Sequence, residues 1–348
     1  MPSINAHGFV AQVRGVVLTT YPAVAEAVGL DPYAMLREAG IDPVLLADPE
    51  ARIPASAVSH LLTESARRSS CETLGLQMAE RRGFASLGPL SLLLRYERDF
   101  RSVLGRLIEY RRLLGDVLDY DLVEEDGAAR LLVLVTPEVA ARQSVELAMG
   151  LTCRFLGEAM FGGWHPAGAC FRYPPPADTQ VHQRLFRTRL RFDAPYNGFV
   201  VPADSLDRAN ASADPGFAAH ALHHVELLAS ELPAQTLAEQ VRASIATLLG
   251  AGTATLPRVA RRLDLHPRAL QRALAAEGLT FGAMVESIRA SLSRELLANT
   301  GLPVGEVGLL VGYASPASFS RWFAGSAGLP PHKWRARSRA AEQEARPG

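Results

Sequence analysis

The chain has 348 residues, of which 36 are Lys or Arg and 36 are Asp or Glu, so its formal net charge is zero. At 48% hydrophobic and 21% charged it can bury sizeable cores, which excludes a disordered or fibrous chain, and its length suits about two domains. The even balance conceals an asymmetry. Residues 253–348 carry thirteen Arg and Lys against seven Asp and Glu, a balance of +6, whereas residues 1–252 carry 23 against 29, a balance of −6. A basic end on an acidic body points to contact with a polyanion.

Cys71, Cys153 and Cys170 are too few and too scattered for a disulfide framework or a zinc site, and read as buried thiols of a reducing compartment. No segment approaches the roughly 18 apolar residues of a membrane span. Arg14 interrupts the apolar stretch near the N-terminus, so neither a signal peptide nor a membrane contact is expected, and the expected location is the cytoplasm. Lys333 is the one lysine, so any phosphate clamp here would be built from arginine.

Residues 9–115 read as mostly helical. Ala57, Val58, Leu61, Leu62 and Ser65 recur at helical spacing within Ala55–Arg68, and Leu74–Arg81 and Phe100–Leu114 have the same character. The period then changes to two in Val117–Val123 and Leu131–Val135, with Glu124-Glu125-Asp126-Gly127 between them as a turn, which predicts a β-hairpin. Arg142–Phe161 returns to helix, with Val145, Met149, Thr152, Leu156 and Met160 on one stripe. Short strands are expected at Ala169–Tyr173, Leu190–Phe192 and Phe199–Val201. This first part is an α+β domain. The polar stretch Asn210–Pro215 reads as its boundary, and helices near Phe217–Ser230 and Thr236–Leu249 follow.

From Thr255 onward two stretches repeat. Leu256, Val259, Ala260 and Leu263 align with Val304, Val307, Gly308 and Val311 at an offset of 48. After a turn that is one residue longer in the second copy, Pro267, Leu270, Arg272 and Leu274 align with Pro316, Phe319, Arg321 and Phe323 at an offset of 49. Each copy has the grammar of a helix-turn-helix. A small residue (Ala260, Gly308) sits where a second helix must cross closely. Asp264 and Gly312 occupy a turn position tolerant of positive φ. Proline opens the second helix, where its missing N–H costs nothing. Ser315 is a good N-cap and His266 a poor one. Gly308 is expected to cost about 1 kcal/mol of helix stability relative to alanine. Phe281–Asn299, with Phe281, Val285, Ile288, Leu292 and Leu296 near one face, would join the two units as a rigid spacer.

Residues 255–337 resemble the AraC/XylS-type DNA-binding domain. The matching residues are Leu270-Gln271-Arg272, Ala276-Glu277-Gly278, Phe281, Val311-Gly312-Tyr313, Ser318 to Phe323 and Gly328 to Arg335. The rest of the chain resembles the branch whose N-terminal part is labelled an arabinose-binding-type domain. It does so through Arg14-Gly15, Thr20 to Ala23, Asp48 to Pro54, Gly75 to Glu80 and Arg142 to Leu147. The resemblance implies an α+β N-terminal sensor and dimerisation domain over 1–212, a helical linker region over 213–252, and an all-α DNA-binding domain with two helix-turn-helix units over 253–340. It implies a sequence-specific transcriptional regulator, an activator more than a repressor, that answers a small-molecule effector, forms a homodimer on double-stranded DNA and works with RNA polymerase. The family's base-contact positions fall on Arg268, Gln271 and Arg272 in the first copy and on Pro316, Ala317 and Ser320 in the second; Ser315 and Arg321 join the expected DNA-binding residues, with Arg321 read either as a phosphate contact or as a pair within the fold.

No phosphate-binding glycine loop, Gly-x-Ser-x-Gly or metalloprotease His-Glu motif is present, so neither catalysis nor a cofactor is expected. His220, His223 and His224 could hold a metal only with Glu226, and read instead as a solvated helix. Tyr96, Tyr110, Arg111, Trp164 and Tyr173 are candidates for lining an effector pocket, though core packing is the commoner role of such residues. The effector-binding residues are otherwise not assigned. Two rivals remain at this point: a ligand-independent regulator, and an architectural DNA-binding protein, which would have no use for so long an N-terminal domain.

Overall fold

The computed structural model of the chain describes residues 11–125, 128–160, 164–232, 235–250, 252–299 and 302–344. The chain divides into two compact units, the second of which starts at about residue 234.

The first unit opens with β1 (Gln12–Arg14), α1 (Tyr21–Ala27) and α2 (Pro32–Glu38), followed by β2 (Arg52–Pro54), α3 (Ala55–Ser69), α4 (Leu74–Arg81), α5 (Pro89–Tyr96) and α6 (Phe100–Glu109). The helix expected over Phe100–Leu114 ends early, because the chain tightens into a 3-10 turn at Arg111–Leu113. The expected hairpin is β3 (Leu118–Glu125) and β4 (Ala128–Val135), paired antiparallel with Tyr120 opposite Val133. Its turn residues Asp126 and Gly127 lie outside the described residues. There follow α7 (Arg142–Ala159), β5 (Gly168–Cys170), α8 (Gln180–Phe186), β6 (Arg189–Arg191), β7 (Gly198–Pro202), the short α9 (Ala203–Leu206) and α10 (Pro215–Ser230). One five-stranded sheet has the order β3-β4-β7-β5-β6, antiparallel except between β5 and β6, so the unit is α+β as expected.

The long helix α7 is the axis of this unit. Its predicted stripe (Val145, Met149, Thr152, Leu156 and Met160) is buried throughout, and the Tyr120 hydroxyl meets Thr152 Oγ1 at 3.1 Å, tying helix to sheet. Gln143 connects α7 to α4. Its Oε1 accepts from the Gly75 N–H at 2.9 Å and its Nε2 donates to the Glu72 carbonyl at 2.8 Å, so one buried side chain satisfies the start of a second helix. Arg14 is similarly explained: its guanidinium forks onto Glu50, while the Gly15 N–H donates to the Ala51 carbonyl at 2.7 Å, closing the small β1–β2 sheet. The motif residues that lie far apart in the chain are therefore partners in space.

The stretch expected as a boundary is structural. Asn210 is buried, and its Nδ2 donates to the Arg95 and Glu97 carbonyls at 2.8 and 2.9 Å. The 213–252 segment, expected as a linker, is divided. Helix α10, capped by Asp214, packs on α5 with Tyr96 and Phe217 rings 4.6 Å apart. The next helix belongs to the second unit, for the reason given below. Cys153 and Cys170 are buried and Cys71 half-buried, all as free thiols, and burial pushes the Cys153 pKa up to about 12.

The bridging role of Gln143 has a measurable consequence. Gln143→Leu leaves the Gly75 N–H and the Glu72 carbonyl without partners, at about 1–3 kcal/mol for each group. Chemical denaturation of the full chain should show that loss; a change below about 0.5 kcal/mol would remove the bridging role.

Candidate nucleic-acid interface

The second unit is all-helical: α11 (Leu237–Gly250), α12 (Leu256–Arg262), α13 (Pro267–Ala276), α14 (Phe281–Asn299), α15 (Val304–Leu310), α16 (Pro316–Ala327) and α17 (Pro331–Glu344). Val241, Ile245, Leu248 and Leu249 of α11 are buried, and that helix packs on α12, α14 and α15. Its apolar stripe at i, i+4, i+7 and i+8 was the available signal, since a solvated linker needs none. Extending the unit back to residue 235 adds one basic and one acidic residue, Arg242 and Glu239, so its balance stays at +6.

Both predicted helix-turn-helix units form, with α12–α13 and α15–α16 as their helix pairs. Asp264 and Gly312 adopt φ of 52° and 87°. Immediately after them the Leu265 N–H returns to the Ala260 carbonyl and the Tyr313 N–H to the Gly308 carbonyl, each at 2.9 Å. This closure five residues back is the Schellman pattern, and it occurs at equivalent places in the two copies. The Ser315 hydroxyl caps α16 by accepting from the Ser318 N–H at 3.2 Å and also donates to Ser318 Oγ. His266, expected to be a poor cap, fills the same role for α13: its Nδ1 accepts from the Arg268 N–H at 3.3 Å. An imidazole nitrogen two residues ahead of a free N–H can do what a serine oxygen does.

Gly308 also departs from expectation. A Cβ built on it would stand 2.9 Å from Phe319 Cβ and 3.0 Å from Phe319 Cγ, so α15 and α16 cross too closely for alanine. The glycine is required by the crossing, and its helix penalty is offset by the packing of Phe319, which is fully buried.

The long helix α14 holds the second helix-turn-helix through Arg289. Its Nε donates to the Val311 carbonyl at 3.1 Å, its Nη1 pairs with Glu286 at 2.6 Å, and its guanidinium lies 5.1 Å from the Tyr313 ring centre. Glu286 in turn accepts from Trp322 Nε1 at 2.8 Å. At the far end Arg335 Nε donates to the Leu297 carbonyl, and Trp334 meets Phe323 edge-on at 5.9 Å. Neither Arg289 nor Glu286 was singled out from sequence, because both lie on the polar side of the spacer helix. The predicted α14 stripe is only partly core: Leu292 and Leu296 are buried, while Phe281, Val285 and Ile288 are half-buried, and Met284 is buried instead.

The outward faces differ between the two units. On α13, Leu270 and Leu274 are buried, and Arg268, Gln271, Arg272 and Ala275 are exposed. With His266 and Ala269 they line one shallow concavity. Among the described residues the side chains of Arg268, Gln271 and Arg272 have no hydrogen-bond or ion-pair partner. On α16, Phe319 and Phe323 are buried, Pro316, Ala317 and Arg321 are exposed, and Ser320 is half-buried. Arg321 likewise has no partner among the described residues. Ser315 uses its hydroxyl within the turn it caps.

The other candidates fall elsewhere. Trp164 stacks on Phe100 at 4.7 Å. Tyr110 is buried, and burial raises its pKa to about 12. Arg111 pairs with Asp119 at 2.7 Å, and Tyr96 meets Phe217 as described. Tyr173 lies under Arg142, 4.8 Å away, beside a buried network in which Glu146 accepts from Arg142 at 3.0 Å and lies 3.3 Å from His182 Nε2. His220, His223 and His224 are exposed on α10, and among the described residues no three His, Cys, Asp or Glu side chains are grouped as a metal would need. No described helix is long and apolar enough to cross a membrane.

Residues 29–210 match the family model described as the arabinose-binding domain of AraC transcription regulators, and residues 259–337 match a helix-turn-helix domain model. The chain belongs to the AraC family of transcription regulators. This AraC-family chain is similar to the ornithine utilization regulator of Pseudomonas aeruginosa, at 26% identity over 88% of this chain and 91% of that one. It is also similar to the HTH-type transcriptional regulator VirS of Mycobacterium tuberculosis, at 27% identity over 93% and 96%. Among solved structures, the transcriptional regulator CdpR from Pseudomonas aeruginosa aligns over 91% of this chain and 98% of its own, with 17% identity and a TM-score of 0.40. The chain is thus a DNA-binding transcriptional regulator, and its relatives are regulators rather than enzymes.

The close crossing makes a direct test. Gly308→Ala, which would stabilise an isolated helix by about 1 kcal/mol, should here destabilise the second unit by about 1–3 kcal/mol through overpacking. Urea denaturation followed by Trp322 and Trp334 fluorescence reads the sign, and a stabilised variant would contradict the crossing geometry.

Proposed function

We propose that this AraC-family regulator reads its operator mainly through α13 and uses α16 chiefly to fix its position. The observation that carries this reading is the contrast between the two exposed faces. Arg268 and Arg272 offer forked donors suited to guanine O6 and N7, and Gln271 offers the donor–acceptor pair suited to adenine N6 and N7. Pro316 and Ala317 have no side-chain hydrogen bond to give and can only pack on a thymine methyl; Ser320 adds one hydroxyl. Arg321 is long and cationic beside them and suits a phosphate. Ser315 contributes by holding the start of α16.

The first unit is the sensor and the dimerisation unit of a cytoplasmic homodimer. A small-molecule effector shifts the population of arrangements in which both recognition helices engage double-stranded DNA, and it does so only through a difference in affinity between arrangements. In the activating state the bound dimer recruits RNA polymerase. Support for activation comes from the family resemblance.

Binding to operators substituted one base pair at a time separates the two roles. The α13 half-site should show losses of about 1–3 kcal/mol at individual positions, one of which disappears in Arg272→Ala. Arg321→Ala should weaken binding to every sequence alike and lower the salt slope by about one. Equal base-specific losses in both half-sites would refute the division.

A further inference from the structure

The first unit contains a partly open cavity of about 120 Å³, comparable in volume with the ~150 Å³ apolar cavity that holds benzene in another protein. Its walls are largely aliphatic and aromatic, with Val58, Leu62, Leu118, Leu151 and Phe155 among them, and no Asp or Glu lines it. None of the five residues considered from sequence lines it either.

Two buried arginines do line it, Arg14 and Arg82, and their situations differ. Arg14 is neutralised by its fork onto Glu50 and also donates through Nη1 to the Ser86 carbonyl at 3.3 Å. Arg82 is 8% exposed, and its side chain makes one hydrogen bond, from Nε to Ser86 Oγ at 3.0 Å. Among the described residues no carboxylate lies within ion-pair distance of it. Burial and then repulsion from Arg14 lower its pKa to about 10, so it still carries its charge at neutral pH. A cation so nearly buried without a counter-ion is disfavoured, and the terminal nitrogens of Arg82, which keep some accessible surface, are open to an anion. The neighbouring hydroxyls are already engaged: Ser144 donates to Ser59 at 3.2 Å, Ser59 to the Val139 carbonyl at 3.3 Å, and Tyr120 meets Thr152.

We propose that this cavity binds a small apolar monocarboxylate, whose carboxylate takes the free end of the Arg82 guanidinium and whose hydrocarbon part lies against α3 and α7. The proposal rests on the reading of the first unit as a sensor and names the class of ligand. The two terminal nitrogens of a guanidinium match the two oxygens of a planar carboxylate. A phosphate would bring more charge and more oxygens than this wall can satisfy. On the same scale the volume takes roughly five non-hydrogen atoms, a short hydrocarbon chain with its carboxylate oxygens at the Arg82 wall. An amino acid or an amine is disfavoured, because its ammonium would meet no acidic side chain.

The test is calorimetric titration of the full-length chain with pentanoate, pentanamide and pentylamine. Pentanoate should bind the wild type at least tenfold more tightly than either of the others. Arg82→Met should bind pentanoate about ten- to a hundredfold more weakly, while melting no lower than the wild type, because the substitution also removes a buried charge. Arg82→Lys keeps the charge but loses the fork, and should bind a few-fold more weakly. Equal affinity for pentanoate and pentanamide would overturn the proposal, as would undiminished pentanoate binding in both variants. Operator affinity with and without pentanoate separates this inference from the regulatory reading. A protein that binds operator but not pentanoate loses the site and keeps its DNA function; one that binds pentanoate with unchanged operator affinity keeps the site and loses the effector response.

Discussion

A helix that reads DNA must be gripped on one side and bare on the other, and in the second helix-turn-helix the grip is the close approach of Gly308 to the Phe319 side chain. A Cβ on Gly308 would stand 2.9 Å from Phe319 Cβ, so α15 and α16 cross here too closely for a larger residue. That crossing buries Phe319 and Phe323, sets the turn at Gly312, and so decides which residues of α16 face outward. Arg289 and Glu286 on α14 then lock the turn and Trp322 from the other side. Each buried phenylalanine is worth about 1.5–3 kcal/mol of apolar burial, more than the helix penalty of the glycine that makes room for it.

The first helix-turn-helix shares this closure but not this surface. Its small residue is Ala260, its left-handed residue Asp264 and its cap His266. Its second helix, α13, presents two arginines and a glutamine without partners among the described residues, where α16 presents proline, alanine and serine with a single arginine, Arg321. The same backbone device is therefore used twice with different chemistry on its outer face. The zero net charge of the chain is beside the point for DNA affinity, since the +6 balance is concentrated in the unit that carries both devices.

Much of this was legible in the sequence, because repeats and turn residues are local properties. The offset of 48 becoming 49 located both turns, and Asp264 and Gly312 adopt the positive φ expected of them. The hairpin, the α7 stripe and helix α4 also follow from spacing alone. What escaped depends on partners distant in the chain. Asn210 looked like part of a polar boundary until its amide was placed on the Arg95 and Glu97 carbonyls. The apolar stripe of α11 is legible in the sequence, but nothing local says which unit buries it. At Gly308 the sequence shows only a helix penalty, since spacing gives no crossing distance. Arg82 lies in a charged-looking run, Glu80-Arg81-Arg82, and only depth distinguishes it from its exposed neighbour Arg81.

If α13 and α16 are both recognition helices, the one helical unit that carries them engages one face of a duplex at two places. A hydroxyl-radical footprint of the full-length protein on its own upstream region, at moderate salt, tests this most directly. Each bound protomer should protect the backbone at two positions about one helical turn, ~34 Å, apart on one face of the duplex. A single protected segment, or uniform protection that follows ionic strength alone, would contradict that engagement.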